Sequence, residues 1–268
     1  MTEDFAPDLE RRFGGLRRLY GHPAYARLRA ARVAVVGLGG VGSWAVEALA
    51  RSGVAELTLI DFDHIAESNI NRQVQALGAT LGQAKAQALA ARVADIHPGC
   101  IVHVVEEFAT ADNWPALLPH PVDAVIDACD QMRAKQALAA WAIGQQIGEH
   151  LAFVCVGAAG GKQLAHQVEV DDLAAATHDP LLAALRQRLR QEEGAARRGN
   201  IGVRCVFSSE SVRRPIGPEG ECEIQGKLNC HGYGSSVTVT ASFGFAAAGD
   251  AIQQLLSAPR FLTRNLPL

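Results

Sequence analysis

The chain has 268 residues, a net charge of -3, 49% hydrophobic residues and 20% charged residues. These values allow a sizeable core in one large domain or two small ones, and they exclude nucleic-acid binding through overall positive charge. The polar start MTEDFAPDLERR is unlike a signal peptide, and the six cysteines form no Cys-x-x-Cys pair. We therefore expect free thiols, no zinc, and a cytoplasmic protein, with peripheral or inner-membrane association left open.

Strands and helices are predicted to alternate from residue 32 to about residue 157. The predicted strands are RVAVVG, ELTLID, IVHVVEE, DAVIDACD and AFVCVGA, and the helices between them are GSWAVEALARSG, GQAKAQALAARVADIHPG, the short DNWPALL, and QMRAKQALAAWAIGQQIG. This alternation predicts an α/β fold, with a Rossmann-like, doubly wound, mainly parallel sheet and helices on both faces. We expect a single domain with a helical arm over 1–32, a nucleotide-binding core over 33–157 and an extension over 158–268.

Beyond residue 157 the pattern predicts C-terminal strands and helices that extend this fold. KQLAHQVEVDDL alternates like an edge strand, DPLLAALRQRLRQEE is an amphipathic helix that Asp179 would cap, and GVRCVFSSE is another strand. RPIGPEGECEIQG is predicted to be a loop, and a final helix is expected over about 242–256. The uncharged stretch 232–249 is rich in Gly, Ser and Thr, which favours a buried strand-to-helix segment over a membrane span.

A glycine-rich loop joins the first strand to the first helix of the predicted core. Gly37, Gly39 and Gly42 have the G-x-G-x-x-G spacing, which allows a tight turn and brings the free N–H groups of a helix N-terminus to an anion. Asp61 ends the second strand, where a carboxylate accepts hydrogen bonds from ribose hydroxyls. These residues predict a nucleotide site, and by themselves they leave NAD and ATP open.

Charged side chains follow the second and fourth predicted strands: Arg72, Lys85, Asp127, Asp130, Arg133 and Lys135. In a doubly wound sheet the carboxyl ends of the strands converge on the ligand crevice. Cations near phosphates suggest charge stabilisation during attack at phosphorus, and an acid there suggests Mg²⁺, which prefers one or two carboxylates plus phosphate oxygens. The cluster favours a nucleoside triphosphate over NAD, because hydride transfer needs no such set of cations.

Several segments resemble a known family. GLGGVGSWAVEALARSGV, LIDFDHIAESNINRQ, GQAKA and DACD are similar to the ubiquitin-activating-enzyme-like (ThiF, MoeB and HesA) superfamily of ATP-dependent adenylating enzymes, over about 11–160. RRFGGLRRLYG, VGAAGG, DPLLAALRQRLR, VRCVFSSE and SSVTVTASFGF resemble the tRNA threonylcarbamoyladenosine dehydratase branch of that superfamily. The resemblance then runs nearly end to end.

The resemblance implies roles for the residues of the predicted crevice. The phosphates of ATP would be bound by Gly37, Gly39, Gly40, Gly42, Asn69, Arg72 and Lys85. Asp61 would hold the ribose and Asp130 would hold Mg²⁺, so that Arg72, Lys85 and Asp130 form the catalytic set. A monovalent cation, Na⁺ or K⁺, is a further candidate cofactor. Similar enzymes are homodimers in which an N-terminal arginine of one subunit reaches the ATP of the other, and Arg18 or Arg12 would serve here.

The implied reaction is a dehydration of modified tRNA. The carboxylate of the threonylcarbamoyl group would attack the α-phosphorus of ATP, and the ureido atoms of the same group would then attack the activated carbonyl and release AMP. Positioning and charge stabilisation suffice for both steps. The competing scheme uses a thiol, for which Cys230 and Cys205 are the candidates, with a sulfur-transfer protein or a cysteine desulfurase as partner.

A tRNA substrate needs a positively charged surface. From Leu185 to Pro215 there are eight Arg and three Glu. Together with the Arg-rich N-terminus, this stretch supplies the candidate tRNA contacts, which are Arg186, Arg190, Arg197 and Arg198. Two other functions stay open. One is activation of a ubiquitin-like sulfur-carrier protein, which would share the ATP site, and the other is a non-catalytic dinucleotide-binding module.

Overall fold

A seven-stranded sheet forms the centre of the protein, whose computed structural model describes residues 7–148, 151–217, 220–221 and 233–257. The strands are β1 Arg32–Val36, β2 Glu56–Ile60, β3 Ile101–Val105, β4 Ala124–Asp127, β5 Ala152–Val156, β6 Val168–Asp172 and β7 Arg204–Ser208. Their order is β3-β2-β1-β4-β5-β7-β6, and every neighbouring pair is parallel except β6 with β7. A short antiparallel ladder joins β8 (Ile216–Gly217) to β9 (Gly220–Glu221). The predicted fold class is confirmed.

Helices cover both faces of the sheet. They are α1 Leu9–Tyr20, α2 His22–Leu28, α3 Gly42–Arg51, α4 Lys85–Ile96, α5 Met132–Gly148, α6 Pro180–Glu192 and α7 Val237–Ser257. Successive side chains of a strand point to opposite faces. Val33 and Val35 therefore pack in one core with α3, α4 and α7, whereas Ala34 and Val36 pack in another with α5 and α6. The result is three layers with an apolar core on each side of the sheet.

The inner and edge strands differ in their burial. β1 and β2 are almost wholly buried, which explains why their sequences are continuous apolar runs. In the edge strand β6, Glu169 and Asp171 are exposed while Val168 and Val170 pack toward the core. The alternating pattern correctly predicted an edge strand, although β6 takes up only the second half of the segment concerned.

One predicted helix is wrong. The segment DNWPALL forms turns, not a helix. Thr110 and Asn113 hold each other's backbone N–H groups through their side chains, at 2.7 and 3.2 Å, which competes with helical hydrogen bonding. Trp114 is buried and packs edge-on against Trp141, with ring centres 5.2 Å apart. Side-chain bonding and a buried tryptophan thus fix this segment.

The N-terminal segment is helical as predicted, but it packs on the rest of the molecule and does not project as an arm. Phe13 of α1 and Leu28 of α2 are buried. Nη1 of Arg12 donates to the carbonyl oxygens of Asp95 and Ile96, at 2.7 and 2.6 Å. A cation at the C-terminal end of a helix satisfies its last carbonyls and favours its dipole. Arg12 therefore fastens α1 to the end of α4.

The last helix begins earlier than predicted, at Val237. Ser236 precedes it, and its Oγ accepts from the N–H of Thr238 at 3.3 Å. The helix passes close to α3, because a Cβ on Gly244 would lie 2.6 Å from the carbonyl oxygen of Val41. Within the part of the chain that the structure describes, no helix has both the length and the apolar character needed to span a bilayer.

Candidate nucleotide-binding site

A cavity of about 390 Å³ opens at the carboxyl ends of the parallel strands. Val36, Ile60 and Val156, the last residues of β1, β2 and β5, lie in its wall. The strands β2 and β3 lie on one side of β1, and β4 and β5 lie on the other. Ligands of doubly wound folds bind at this reversal of strand order. The cavity therefore has the position of a ligand site.

The glycine loop between β1 and α3 forms part of the cavity wall. Gly37 has φ +85°, and a Cβ there would lie 2.8 Å from the carbonyl oxygen of Ala128. Gly39 and Gly40 line the cavity, whereas Gly42 does not. A Cβ on Gly42 would lie 1.8 Å from the carbonyl oxygen of Gly37. Gly42 thus closes the turn by packing against it, and its predicted contact with phosphate is not supported.

The N-terminus of α3 is open toward the cavity. Val41 precedes the helix, and no side chain caps it. Among the backbone hydrogen bonds of the described residues, the N–H groups of Gly39, Gly40 and Val41 donate to no acceptor. All three residues line the cavity. Free N–H groups at a helix N-terminus attract anions, so the loop offers donors for a phosphate.

Asp61 is almost fully buried at the end of β2 and lines the cavity. Its Oδ2 accepts from the N–H of Leu38 at 2.6 Å, and its Oδ1 accepts from the N–H of Asp63 at 2.8 Å. Burial raises the pKa of Asp61, while the charge of Lys85 and the two N–H groups act in the opposite sense. The carboxylate therefore holds the glycine loop in shape, a role additional to the predicted contact with ribose.

Lys85 is the first residue of α4 and lines the cavity. Its Nζ lies 2.7 Å from Oδ2 of Asp63, whose side chain is 51% exposed. An ion pair with an exposed carboxylate is weak, so a phosphate that enters the cavity can replace Asp63 as the partner of Lys85. Asp63 was not identified as a site residue from the sequence. Its position three residues after the end of β2 could have indicated that it lies at the cavity.

The Arg72 side chain crosses the glycine loop and lines the cavity. A Cβ on Gly40 would lie 3.3 Å from Cγ and Cδ of Arg72, so glycine at this position leaves room for the side chain. Nη1 of Arg72 donates to the carbonyl oxygen of Ser68 at 2.6 Å and to Oδ1 of Asn71 at 2.9 Å. These acceptors fix the guanidinium beside the free N–H groups of the loop.

The amides around this arginine build the surrounding structure. Asn69 is buried and lines the cavity, and its Oδ1 accepts a backbone N–H at 3.0 Å. Nδ2 of Asn71 donates to the carbonyl oxygen of Ser235 at 3.0 Å. Nε2 of Gln75 donates to the carbonyl oxygen of Leu38, also at 3.0 Å. The segment NINRQVQ thereby joins the glycine loop to the C-terminal part of the chain.

The two acids of DACD have different surroundings. Asp130 is exposed, lines the cavity and has no ion pair among the described residues. Asp127 is fully buried and lies 2.9 Å from Nζ of Lys135, which is also fully buried. Burial alone would lower the pKa of Lys135, but the charge of Asp127 raises it above its ordinary value. Asp127, Lys135 and Arg133 do not line the cavity, so the cluster predicted from the sequence is smaller than expected.

The described cysteines give no support to a thiol-dependent reaction. Cys205, one of the two candidate thiols, is fully buried in β7 and has no access to a substrate. Cys129 packs against the apolar core and also lines the cavity. Burial, and then the charge of Asp127, raises the pKa of Cys129 well above its ordinary value, which keeps the thiol protonated. Cys230 lies outside the described residues.

The four candidate tRNA contacts are not equally available. Arg186 donates to two backbone carbonyls at 2.9 and 2.8 Å, and Arg190 donates to one at 3.1 Å. These bonds give both side chains a structural role, so they are poor candidates. Arg197 and Arg198 are exposed in the loop after α6 and have no side-chain partner among the described residues. Of the four predicted tRNA contacts, Arg197 and Arg198 are therefore the two that stay available to bind phosphate.

The two N-terminal candidates differ in the same way. Arg12 is bonded to the end of α4. Arg18 is exposed, has no side-chain partner within the described part of the chain, and does not line the cavity. Of the two, Arg18 is the one that remains available to another molecule.

Residues that follow β5 complete the cavity. Asp179 caps α6, as predicted, by accepting a backbone N–H at 3.0 Å. Its Oδ2 also accepts from the N–H of Ala158 at 2.8 Å, and a Cβ on Gly157 would lie 2.1 Å from that oxygen. Gly157 and Ala158 line the cavity, as do Ser235 and Thr240 near the start of α7. The cavity wall thus comes from both halves of the chain.

An exposed aromatic pair lies at the cavity and was not identified from the sequence. Phe108 lines the cavity, and its ring centre lies 5.3 Å from that of Phe62. Both residues come shortly after strand ends, which was the signal available. Aromatic faces can stack on a nucleobase. The cavity therefore combines an apolar wall with polar donors.

A polyphosphate suits this cavity better than an uncharged ligand does, because Arg72, Lys85 and the free N–H groups of the glycine loop all face it. The molecule is a nucleotide-binding protein of the doubly wound α/β class. Within that class the chain belongs to the ThiF family, whose model matches residues 12–266. The family resemblance found in the sequence is confirmed.

Characterised relatives match nearly the whole chain. The chain is 41% identical over 255 residues to tRNA threonylcarbamoyladenosine dehydratase of Escherichia coli (strain K12), covering 92% of this chain and 94% of the relative. It is 40% identical over 250 residues to the Haemophilus influenzae protein of that name, with the same coverage. The solved structure of the Escherichia coli dehydratase, TcdA, in complex with AMP has a TM-score of 0.84 and 39% identity, covering 96% of this chain and 98% of that chain. The structure of the same protein in complex with ATP has a TM-score of 0.83 and 39% identity, covering 95% of this chain and 98% of that chain.

Proposed function

We propose that this protein is an ATP-dependent tRNA threonylcarbamoyladenosine dehydratase. The observation that carries the proposal is the arrangement of Arg72, Lys85 and Asp130 around one cavity together with the free N–H groups of the glycine loop. The relatives named for this activity support it, since they match 92% of the chain, and so does the relative solved with ATP and with AMP.

The cavity would bind ATP with its phosphates at the N-terminus of α3. The N–H groups of Gly39, Gly40 and Val41 donate to phosphate oxygens, and Arg72 and Lys85 supply positive charge beside them. Lys85 exchanges Asp63 for a phosphate oxygen. The catalytic contribution of these groups is to hold the phosphates in place and to stabilise the negative charge that develops during attack.

The reaction proceeds in two displacements. A carboxylate oxygen of the threonylcarbamoyl group attacks the α-phosphorus of ATP, the bond from that phosphorus to the bridging oxygen breaks, and pyrophosphate leaves. A nucleophilic atom of the ureido part of the same group then attacks the acyl carbonyl, the acyl–oxygen bond breaks, and AMP leaves as the ureido group loses a proton. The modified adenosine has then lost one water, and no covalent bond to the protein has formed.

A magnesium ion fits the carboxylate that faces the cavity. Asp130 would hold it together with phosphate oxygens, because this exposed carboxylate has no competing partner among the described residues. The ion would neutralise charge on the phosphates. Asp127 is unsuited as a second ligand, since it is buried and bonded to Lys135 at 2.9 Å.

A tRNA would approach the cavity along α6. Leu181, in the first turn of that helix, lines the cavity, and the loop after the helix carries Arg197 and Arg198. A helix of 13 residues is about 20 Å long at 1.5 Å per residue. An RNA whose modified base enters the cavity would therefore present backbone phosphates to these arginines at a distance of about 20 Å from the reacting group.

We also propose that the protein acts as a homodimer. Ile70, Leu77 and Leu81 are large apolar side chains that are exposed in the connection from β2 to α4, the same connection that brings Asn69 and Arg72 to the cavity. Exposed apolar groups that cluster in one segment commonly mark a surface that another protein covers. A second copy docked there would bring its Arg18 toward this cavity. Arg18 does not line the cavity of its own copy.

The test is mass analysis of tRNA that carries threonylcarbamoyladenosine, before and after incubation with the protein and ATP. The proposal expects the loss of one water from the modified nucleoside and one AMP formed for each event, with neither change for Asp130→Asn. Unchanged tRNA, combined with pyrophosphate exchange that depends on an added sulfur-carrier protein, would instead indicate a carrier-activating enzyme. No AMP with either acceptor, together with NAD binding, would indicate a non-catalytic module.

A further inference from the structure

Three side chains converge at a place remote from the nucleotide cavity. Glu56 begins β2, His103 lies in the middle of the edge strand β3, and His120 belongs to the segment between β3 and β4. Nε2 of His103 lies 2.9 Å from Oε1 of Glu56, and Nε2 of His120 contacts the same oxygen. The two Nε2 atoms are 3.4 Å apart. One atom from each of the three side chains thus meets at a single point, and all three lie within 4.8 Å of one another.

No hydrogen bond from the described residues to Glu56 accounts for the position of its Oε1 between the two rings. Oε1 of Glu56 is buried and accepts no hydrogen bond, although two imidazole nitrogens lie beside it. A buried carboxylate oxygen without a donor costs about 1–3 kcal/mol, so the atom lacks a partner that the geometry would accommodate. The three atoms face inward toward a common centre, as ligands do when an ion holds them together.

The surroundings of His120 favour the tautomer that a metal ligand needs. Its Nδ1 lies 3.2 Å from the carbonyl oxygen of Pro121, to which a protonated Nδ1 donates. The lone pair of a neutral ring is then on Nε2, the atom that faces Glu56 and His103. Histidines that bind metals characteristically donate their other ring N–H to a carbonyl or carboxylate, which fixes the ring.

We propose that Glu56, His103 and His120 bind a zinc ion. Two imidazole nitrogens and one carboxylate oxygen form a donor set that zinc accepts in tetrahedral sites, with water as the fourth ligand. The expectation of no zinc rested on the missing Cys-x-x-Cys pairs, and that absence bears on thiolate ligands alone. None of the three residues lines the nucleotide cavity, so this metal is separate from the proposed magnesium ion.

The place of the ion in the fold indicates what it would do. It joins β2 to the edge strand β3 and to the segment between β3 and β4. Phe108, near the start of that segment, lines the nucleotide cavity. Bound zinc would therefore fasten this segment to the sheet, raise the thermal stability of the protein and restrain one wall of the cavity.

The experiment measures zinc binding to the full-length, metal-stripped protein by competition with a chromophoric chelator. Wild type is expected to bind one zinc at this site. His120→Gln should weaken that binding by more than about 100-fold, because loss of a ligand costs more than loss of an outer hydrogen-bond partner, which costs about 10- to 100-fold. The matched control is His166→Gln, an exposed histidine outside the cluster, which should bind as wild type does.

Cobalt substitution supplies a second readout that needs no variant. Wild type loaded with Co²⁺ should give the visible spectrum of a four-coordinate nitrogen and oxygen site, without the intense near-ultraviolet band that a thiolate ligand produces. Zinc affinity unchanged in His120→Gln and in Glu56→Gln overturns the proposal, as does a thiolate band. Wild type that binds no zinc also overturns it and leaves the cluster as two imidazoles beside one carboxylate.

Discussion

Single charged side chains around the cavity differ in what already holds them. Arg72 is fixed by two acceptors on its own segment, whereas Lys85 is paired with the exposed Asp63 and must change partner when a phosphate arrives. Asp130 has no ion pair among the described residues, while Asp127, three positions earlier, lies wholly in the interior. The protein thus presents one preset cation, one exchangeable cation and one open carboxylate.

Replacing Arg72 should slow the reaction strongly without unfolding the protein. Arg72→Ala is expected to lower the rate of AMP formation by about 100-fold or more, because charge stabilisation at the phosphates is removed. AMP release in the presence of ATP and modified tRNA measures the effect, and circular dichroism checks the fold. Arg51→Ala is the control, since that side chain is 60% exposed at the far end of α3. Full activity of Arg72→Ala would remove it from the catalytic set.

A buried histidine makes stability depend on pH. His97, just after α4, is fully buried, with Nε2 2.7 Å from Nη1 of Arg29 and its ring packed on Phe13. Burial, and then the charges of Arg29 and Arg12, lowers the pKa of His97 from 6.5 to about 4. The unfolded chain therefore takes up a proton as pH falls below 6.5, while the folded protein does not until about 4. The contribution of His97 to the stability of the folded protein is therefore fully present above pH 6.5 and is lost as the pH falls toward 4.

The loss can be measured by urea unfolding. The contribution of His97 to the free energy of unfolding should be about 2 kcal/mol smaller at pH 5 than at pH 7. His97→Gln should remove this part of the pH dependence, so the difference between wild type and variant isolates it from the titration of carboxylates. Parallel pH profiles for the two proteins would contradict the assignment.

At the scale of elements, the strands of the core could be predicted because burial on both faces leaves a continuous apolar run. The boundaries of α7 and the absence of a helix in DNWPALL could not. Val237 to Thr240 are β-branched and favour a strand locally, yet they are helical because α7 packs closely on α3 at Gly244. Such packing between residues far apart in sequence is invisible to local propensity.

The same limit applies to the site. Asp61 directly follows β2 and Lys85 begins the next long helix, α4, so the topology of a doubly wound sheet could place both at the cavity. The burial of Asp127 depends on the packing of α5 against the sheet, and the bonding of Arg186 depends on how its helix lies on the preceding segment. Neither packing arrangement has a signal in the sequence around those residues.

The glycine turn gives a prediction about a whole element. Gly42→Ala should weaken ATP binding and destabilise the protein, because the added Cβ would lie 1.8 Å from the carbonyl oxygen of Gly37 and force the β1–α3 turn apart. Gly249→Ala is the matched control, since no atom lies within 4 Å of a Cβ there and helix propensity predicts a gain of about 0.5–1 kcal/mol. Equal ATP affinity in both variants would contradict the role given to Gly42.

On the scale of the whole molecule, the cavity is closed by residues from opposite ends of the chain. Gly40 belongs to the first turn of the core, and Thr240 belongs to its last helix, yet both line the same cavity. Nδ2 of Asn71 also donates to the carbonyl oxygen of Ser235, which lines the cavity too. The α6 helix, whose first turn lines this cavity, also leads to Arg197 and Arg198, which are the proposed tRNA contacts.

The salt dependence of tRNA binding tests the outer part of this surface. Neutralising Arg197 and Arg198 to Gln should reduce the slope of log affinity against log salt by about 2, one for each phosphate that no longer meets a positive charge. Arg51→Gln should leave the slope unchanged, because α3 begins at the cavity and Arg51 lies at its opposite end. An unchanged slope in the double variant would place the RNA on another face.

Mixing two inactive variants tests whether Arg18 acts across a dimer. Arg18→Ala and Asp130→Ala should each be inactive alone. After denaturation and joint refolding, half of the dimers are mixed and each mixed dimer has one complete site, so activity should return to about a quarter of wild type. The readout is AMP formation, with the singly refolded variants as controls. No recovery in a mixture that forms mixed dimers would contradict a role for Arg18 in the partner's site.

The position of α7 also affects how the protein is made. It follows every other described element in the chain, and it covers α3, β4 and β5 on one face of the sheet. A ribosome adding about 5–20 residues per second therefore completes all seven strands before α7 covers β4 and β5. During that interval the nascent chain exposes the apolar surface that α7 will cover, and the nucleotide cavity lacks the wall that Thr240 supplies. Chaperones should hold it at this stage, and release should coincide with the first ability to bind ATP.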